Sequence, residues 1–189
     1  MCIPPQTTTG LDRDKEINEA ILAAVWNEQS PLRGPMWDCE GRPVAVVYRG
    51  RWTAGSGPDF EGAMIAIGEK SDKLRTGSVE IHLRCADWYA HGHDSDPHYT
   101  RVQLHVVLWP TGARPVTRAD GVQVPTLVLA DYITLSSAEL LEKVSPLLSK
   151  AAIMEADFDV YPSASEVFYR GLMDSLGYSA NREPMREIA

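Results

Sequence analysis

The 189-residue chain has few cysteines, no long apolar run and no excess of positive charge, and each shortage excludes a class of protein. Cys2, Cys39 and Cys85 are odd in number and widely spaced, so they form neither a disulfide framework nor a Cys-x-x-Cys zinc site. A reducing, cytoplasmic location is expected, since residues 1–13 also lack the basic and apolar segments of a secretion signal. The longest apolar stretch, Val102 to Pro110, is interrupted by Gln103 and His105, which argues against a membrane partner. Neither an internal repeat nor a low-complexity run is present, and glycine, proline and aromatic usage is ordinary.

The composition, 44% hydrophobic and 23% charged, is that of a globular domain. The formal charge of -8 argues against a nucleic-acid partner, because phosphate binding is driven by Lys and Arg. Its distribution weakens that objection. Residues 1–41 sum to -4, residues 42–118 to +2 and residues 119–189 to -6, so the middle segment alone is not acidic. Nucleic acid therefore stays open as a partner, with Arg49, Arg51, Arg84 and Arg101 as candidate phosphate contacts.

Hydrophobic spacing predicts an amphipathic helix over 12–27, broken by Pro31, Gly34 and Pro35, and a turn at 38–42. Short strands are expected at 44–48 and 63–67, separated by a glycine-rich loop at 50–57, with a connection at 68–77. Residues 79–84 alternate strictly, which predicts a half-buried strand with Val79, Ile81 and Leu83 inward and Glu80, His82 and Arg84 on a polar face. A short helix and loop should fill 87–100, a fourth strand 102–109, and an edge strand 122–129, where Pro125 argues against a central position. Helical patterns follow at 136–152 and 163–176, and a further helix begins at 181–189 without a C-cap. The expected organisation is an α/β core over 1–133 and a helical segment over 134–189 that is truncated or lacks a partner subunit.

All five histidines, His82, His91, His93, His98 and His105, fall within 24 residues, interleaved with Glu80, Asp87, Asp94 and Asp96. Imidazole and carboxylate together form the ligand set of a divalent cation: Mg or Mn where carboxylates dominate, Zn where several histidines bind. Asp59 follows a Gly-Pro turn at the head of a strand, and Glu80-x-His82 projects two polar groups from one face of the next. Asp59, Glu80, His82 and Asp96 are the candidate metal ligands. Asp59, Glu80, His82, His91, His93 and His105 are the candidate catalytic residues, with Glu19, Asp87 and Tyr99 in support. The competing reading is a solvated strand face plus a His/Asp network that pins a loop. The His-x-His pair at 91–93 does not continue in the register His-x-His-x-Asp-His, which disfavours a metallo-β-lactamase site. Trp52, Trp88 and Trp109 are read as packing residues ahead of base-stacking platforms.

The layout of Asp59 with Glu80-x-His82 resembles the PD-(D/E)xK nuclease superfamily, with His82 where that motif has Lys. That resemblance implies a restriction-endonuclease-like core: a helix, a mixed sheet of four to five strands, and a helix, followed here by C-terminal helices. Gly57-Pro-Asp-Phe60, Val79-Glu-Ile-His82, Asp87-Trp88, His91-Gly-His93, Asp96, Tyr99 and Val102-x-Leu-His-Val-Val107 also resemble an uncharacterised bacterial family, the domain of unknown function 2851. The likeness extends from Glu19 and Trp26 to Gly177-Tyr178 and Asn181-Arg-Glu-Pro184; Cys85-Ala86 depart from the family's usual Ser residues. The family is typically longer, which implies further helices, and it supplies no established activity. The expectation is a metal-dependent, nuclease-like phosphodiesterase. A zinc hydrolase of small molecules or peptides and a non-catalytic binding module on a degenerate nuclease core are the alternatives.

Overall fold

The structure is a computed structural model, and it describes residues 17–53, 57–68 and 74–157, with side chains described to residue 148. The predicted helices at 163–176 and 181–189 lie outside the described residues. The chain divides into two compact units, 1–149 and 150–189.

Helix α1 spans Glu19–Glu28 and starts where Asn18 Oδ1 accepts the Ile21 N–H at 3.0 Å. The sequence pattern places the start near Asp12, but Ile17 lies outside the helix, because an Asn side chain that caps the first turn competes with its continuation backwards. Its buried stretch, Ile21 to Trp26, belongs to the main hydrophobic core.

The strands are β1 (Met36–Trp37), β2 (Pro43–Tyr48), β3 (Arg51–Trp52), β4 (Phe60–Ile67), β5 (Leu74–His82), β6 (Val102–Val107), β7 (Val116–Thr117), β8 (Gln123–Val124) and β9 (Thr126–Val128). Short β1 and β3, and the early starts of β4 and β5, are not visible in the apolar pattern. Seven strands form one mixed sheet in the order β1-β2-β4-β5-β6-β9, with β3 also on β4. β2, β4 and β5 run antiparallel, whereas β5, β6 and β9 are parallel. The ends of the sheet nearly meet: Asp38 bridges Leu127, and the Cys39 N–H donates to the Thr126 carbonyl at 2.8 Å. The fold is thus mixed α/β, with a large, almost closed sheet and few helices.

The expected edge strand at 122–129 is two strands. Pro125, which has no N–H to donate, separates β8, paired with β7, from β9, paired with β6. Strand β5 ends at His82; the Leu83 carbonyl still accepts the Trp109 N–H at 3.1 Å, and Arg84 turns toward α2. The half-buried strand predicted there is covered on both faces: residues 77–82 are all buried, Glu80 is 5% exposed and His82 0%. The cause is the parallel β5–β6 connection, which must cross over the sheet and lays residues 87–101 on the polar face. This crossover contains α2 (Asp87–Ala90) and a 3-10 turn (Pro97–Arg101). Trp88, fully buried, anchors it through an Nε1–H bond to the Thr117 carbonyl at 3.0 Å. Gly77 admits the crossover's end: a Cβ there would collide with the Arg101 carbonyl oxygen and the Gln103 side chain.

Helix α3 (Ser137–Asp157) opens with a reciprocal cap, in which Glu139 accepts from the Ser136 N–H and hydroxyl. Leu140 and Val144 join the core. Among the described residues no helix is long and apolar enough to cross a membrane.

Candidate metal centre

Sheet register assembles the site. Phe60 pairs with Val79, Glu80 with His105, and His105 with Thr126. Asp59, Glu80, His105 and Thr126 therefore form one row across four adjacent chain segments, and His82 stands two residues along β5 on the same face. The carboxylates are tied into this frame: the Ile81 N–H donates to Asp59 Oδ2 at 2.9 Å, and the Asp59 N–H donates to Glu80 Oε2 at 3.1 Å.

The crossover brings further imidazoles onto that row. Gly92, at φ +75°, supplies a left-handed turn between His91 and His93, so both rings return to the β5 face. His93 stacks on Tyr99 with ring centroids 3.7 Å apart, and the edge of Trp88 lies against both rings. His82 Nε2 is 3.1 Å from His91 Nδ1 and 3.6 Å from Glu80 Oε1, and His93 Nε2 is 3.2 Å from Glu80 Oε1. Behind His82, its Nδ1 is 2.9 Å from His105 Nε2, and His105 Nδ1 is 3.3 Å from Thr126 Oγ1.

The remaining predicted residues occupy distinct positions. His105 is fully buried beneath His82, out of reach of a substrate, so it cannot position water or phosphate directly. Asp96 caps the 3-10 turn, its Oδ1 accepting the His98 N–H at 2.9 Å and facing the His98 ring at 2.9 Å; His98 is exposed and Asp96 partly so. Asp87 accepts the Arg84 N–H at 3.0 Å at the head of α2. Glu19 acts on the pair by charge, raising the pKa of both Asp59 and Glu80. Of the four arginines, Arg51 pairs with Glu61, Arg84 with Asp87, and Arg49 donates to Asn27. Trp52 stacks on Phe60, and Trp88 and Trp109 pack with the core, the packing roles read from the sequence. Thr126 is the participant that sequence reasoning missed; a threonine after a proline on a short strand carries no signal of its own.

Burial first, and then the neighbouring Glu80 charge, raises Asp59 to about 7; burial raises Glu80 to about 8. Burial, reinforced by His93 and His91, lowers His82 to about 3, and burial also lowers His93 and, further, His105.

His82, His91 and His93 could hold a divalent metal, with the Glu80 carboxylate close to two of the rings. Two ligand atoms each ~2.1 Å from a tetrahedral ion are about 3.4 Å apart, and the separations from Glu80 Oε1 to the two rings and between His82 and His91 are 3.1–3.6 Å. His82, His91 and His93 can each offer an atom within 4.8 Å of the others. Neither ring nitrogen of buried His93 makes a well-aligned hydrogen bond, although Nε2 lies 3.2 Å from Glu80 Oε1, and a ligand at Nε2 would resolve this.

The family model described as "Protein of unknown function (DUF2851)" matches residues 19–160. The chain belongs to this family. No curated protein and no solved structure matches it. The DUF2851 match contains the imidazole and carboxylate groups together with their supports, from Glu19 on α1 to Thr126 on β9.

Proposed function

We propose that this DUF2851 protein is a metal-dependent hydrolase acting on phosphodiesters, with Glu80, His82, His91 and His93 holding the ion and Asp59 completing its acidic side. The observation that carries this reading is the approach of Glu80 Oε1 to His82 and His93 at ligand-to-ligand spacing, with His91 beside them. The phosphodiester assignment draws on the element order: helix, the antiparallel strands β1–β5, a short helical crossover and a parallel strand, with Asp59 just ahead of β4 and Glu80-x-His82 on β5. That order accords with a restriction-endonuclease-like core, in which His82 takes the Lys position.

A divalent cation would supply Lewis acidity and neutralise phosphate charge. The chain's own groups divide the remaining work. Asp59 and Glu80 are oriented by backbone N–H groups and need no rearrangement to present oxygen. His91, the exposed member of the imidazole group, would hold the ion from the solvent side. Trp88 and Tyr99 wall the imidazoles from water on the crossover side.

One observation favours a second reading. A set with three imidazoles suits Zn better than Mg, as in hydrolases of small molecules or peptides. Chelator-treated full-length protein, reloaded separately with Zn, Mn or Mg, should cleave bis(p-nitrophenyl) phosphate or a single-stranded oligonucleotide with at least one of these ions. Asp59→Ala should lower that rate by about 10²-fold or more. Metal-dependent cleavage of esters or peptides alone would favour the second reading, and binding of all three ions without any turnover would overturn the hydrolase.

A further inference from the structure

The side chain of Thr126 lies behind the metal centre, and its hydrogen bonds determine which nitrogen of His82 faces the ligand group. Thr126 Oγ1 is 2.6 Å from the Arg114 carbonyl oxygen, which can only accept, so the hydroxyl proton is committed to that bond. Oγ1 must then accept from His105, which places the His105 proton on Nδ1. The 2.9 Å contact between His105 Nε2 and His82 Nδ1 holds one proton. His105 is fully buried, and Thr126, His82 and the Trp88 edge surround it with no carboxylate among its bonded partners, so a second proton on its ring would leave an uncompensated buried charge. Its Nε2 is accordingly bare and accepts from His82 Nδ1–H. His82 therefore carries its proton on Nδ1 and turns an unprotonated Nε2 toward Glu80 and His91.

We infer that Thr126 and His105 form a positioning relay that fixes His82 in its Nδ1–H tautomer and so prepares Nε2 as a metal ligand. The ligand role of His82 rests on the metal reading above; the tautomer does not. The relay explains why a histidine with no route to solvent occupies the row between Glu80 and Thr126. Outer partners of this kind typically alter metal affinity by about 10–100-fold when removed.

Two measurements on the full-length protein separate the relay from the metal reading. Long-range ¹H–¹⁵N NMR of the metal-free protein near neutral pH should show His82 and His105 both protonated at Nδ1. A protonated His82 Nε2 would overturn the relay whatever the protein binds. Competition titration with Zn, and the visible spectrum of the Co(II) form, should then show Thr126→Val about 10–100-fold weaker in metal affinity with an altered Co(II) spectrum. Thr126→Ser, which keeps the hydroxyl, should restore both. If the wild type binds Zn and Thr126→Val matches it in affinity and spectrum, the relay is wrong. Should Thr126→Val fail to fold, Thr126→Ser and Thr126→Cys decide by the same comparison, because only serine retains the acceptor oxygen with its strong donor. Expected tautomers in a wild type that binds no Zn, Mn or Co would leave the relay standing and remove the metal reading.

Discussion

Glu80→Gln is expected to lower the protein's divalent-metal affinity by well over the roughly 100-fold that loss of an outer-shell partner costs, and to abolish metal-dependent turnover with it. Glu80 is the residue both carboxylate and imidazole halves of the site share: Oε2 accepts the Asp59 N–H, while Oε1 lies 3.2 Å from His93 and 3.6 Å from His82. A glutamine keeps the size and the acceptor oxygen but loses the charge that offsets a cation. The metal-free variant should be at least as stable as wild type above pH 8. Burial raises the Glu80 carboxyl to about 8, so ionising it opposes folding, and an amide escapes that cost. Isothermal titration with Zn or Mn and thermal unfolding after chelation give both answers. Wild-type metal affinity in the variant would remove Glu80 from the centre.

The second large effect is on pH. Asp59 and Glu80 have folded pKa values of about 7 and about 8, above the usual carboxylate values of 3.8 and 4.5. Their contribution is fully present below those ordinary values and is lost as pH rises through the folded ones. His82 runs the other way: lowered to about 3, it makes the fold lose stability as pH falls from 6.5 toward 3, and the lowered His93 and His105 act in the same sense. The opposing slopes largely cancel between about pH 4.5 and 6.5. Above 6.5 the unfolded imidazoles lose their remaining protons, which offsets part of the carboxylate loss. Metal-free protein should therefore lose roughly 1–2 kcal/mol between pH 6.5 and 8.5, a Tm decrease of roughly 3–6 °C. Saturating Zn or Mn should flatten or reverse that slope, because binding releases the carboxyl protons and the ion compensates their charge. Calorimetry with and without chelator is the check; a metal-free Tm constant over that range would contradict the buried-carboxylate picture.

The unequal legibility of the site follows from which interactions are local. Asp59 at the head of a strand and Glu80-x-His82 on its neighbour could be read directly, because a strand's two-residue period places them. The clustering of histidines drew attention to His91 and His93, and Gly92 between them marks the turn that returns both rings. What the pattern could not convey was depth. Alternation in residues 79–84 predicts one solvated face, but a parallel crossover covers it, and that covering is set by the β5–β6 pairing rather than by β5. The same burial separates His105 from the substrate-facing groups and makes it a partner of His82. Thr126 enters only through the parallel β6–β9 register, which joins residues 21 positions apart. The sequence also places the start of α1 too early, because apolar spacing takes no account of the Asn18 cap.

The most direct test of the shared imidazole–carboxylate centre is the X-ray absorption spectrum of full-length protein reloaded with one equivalent of Zn. The expected first shell contains two or three imidazole nitrogens and one or two carboxylate oxygens at about 2.0–2.2 Å. A shell of oxygens alone, or zinc lost on simple gel filtration, would contradict it.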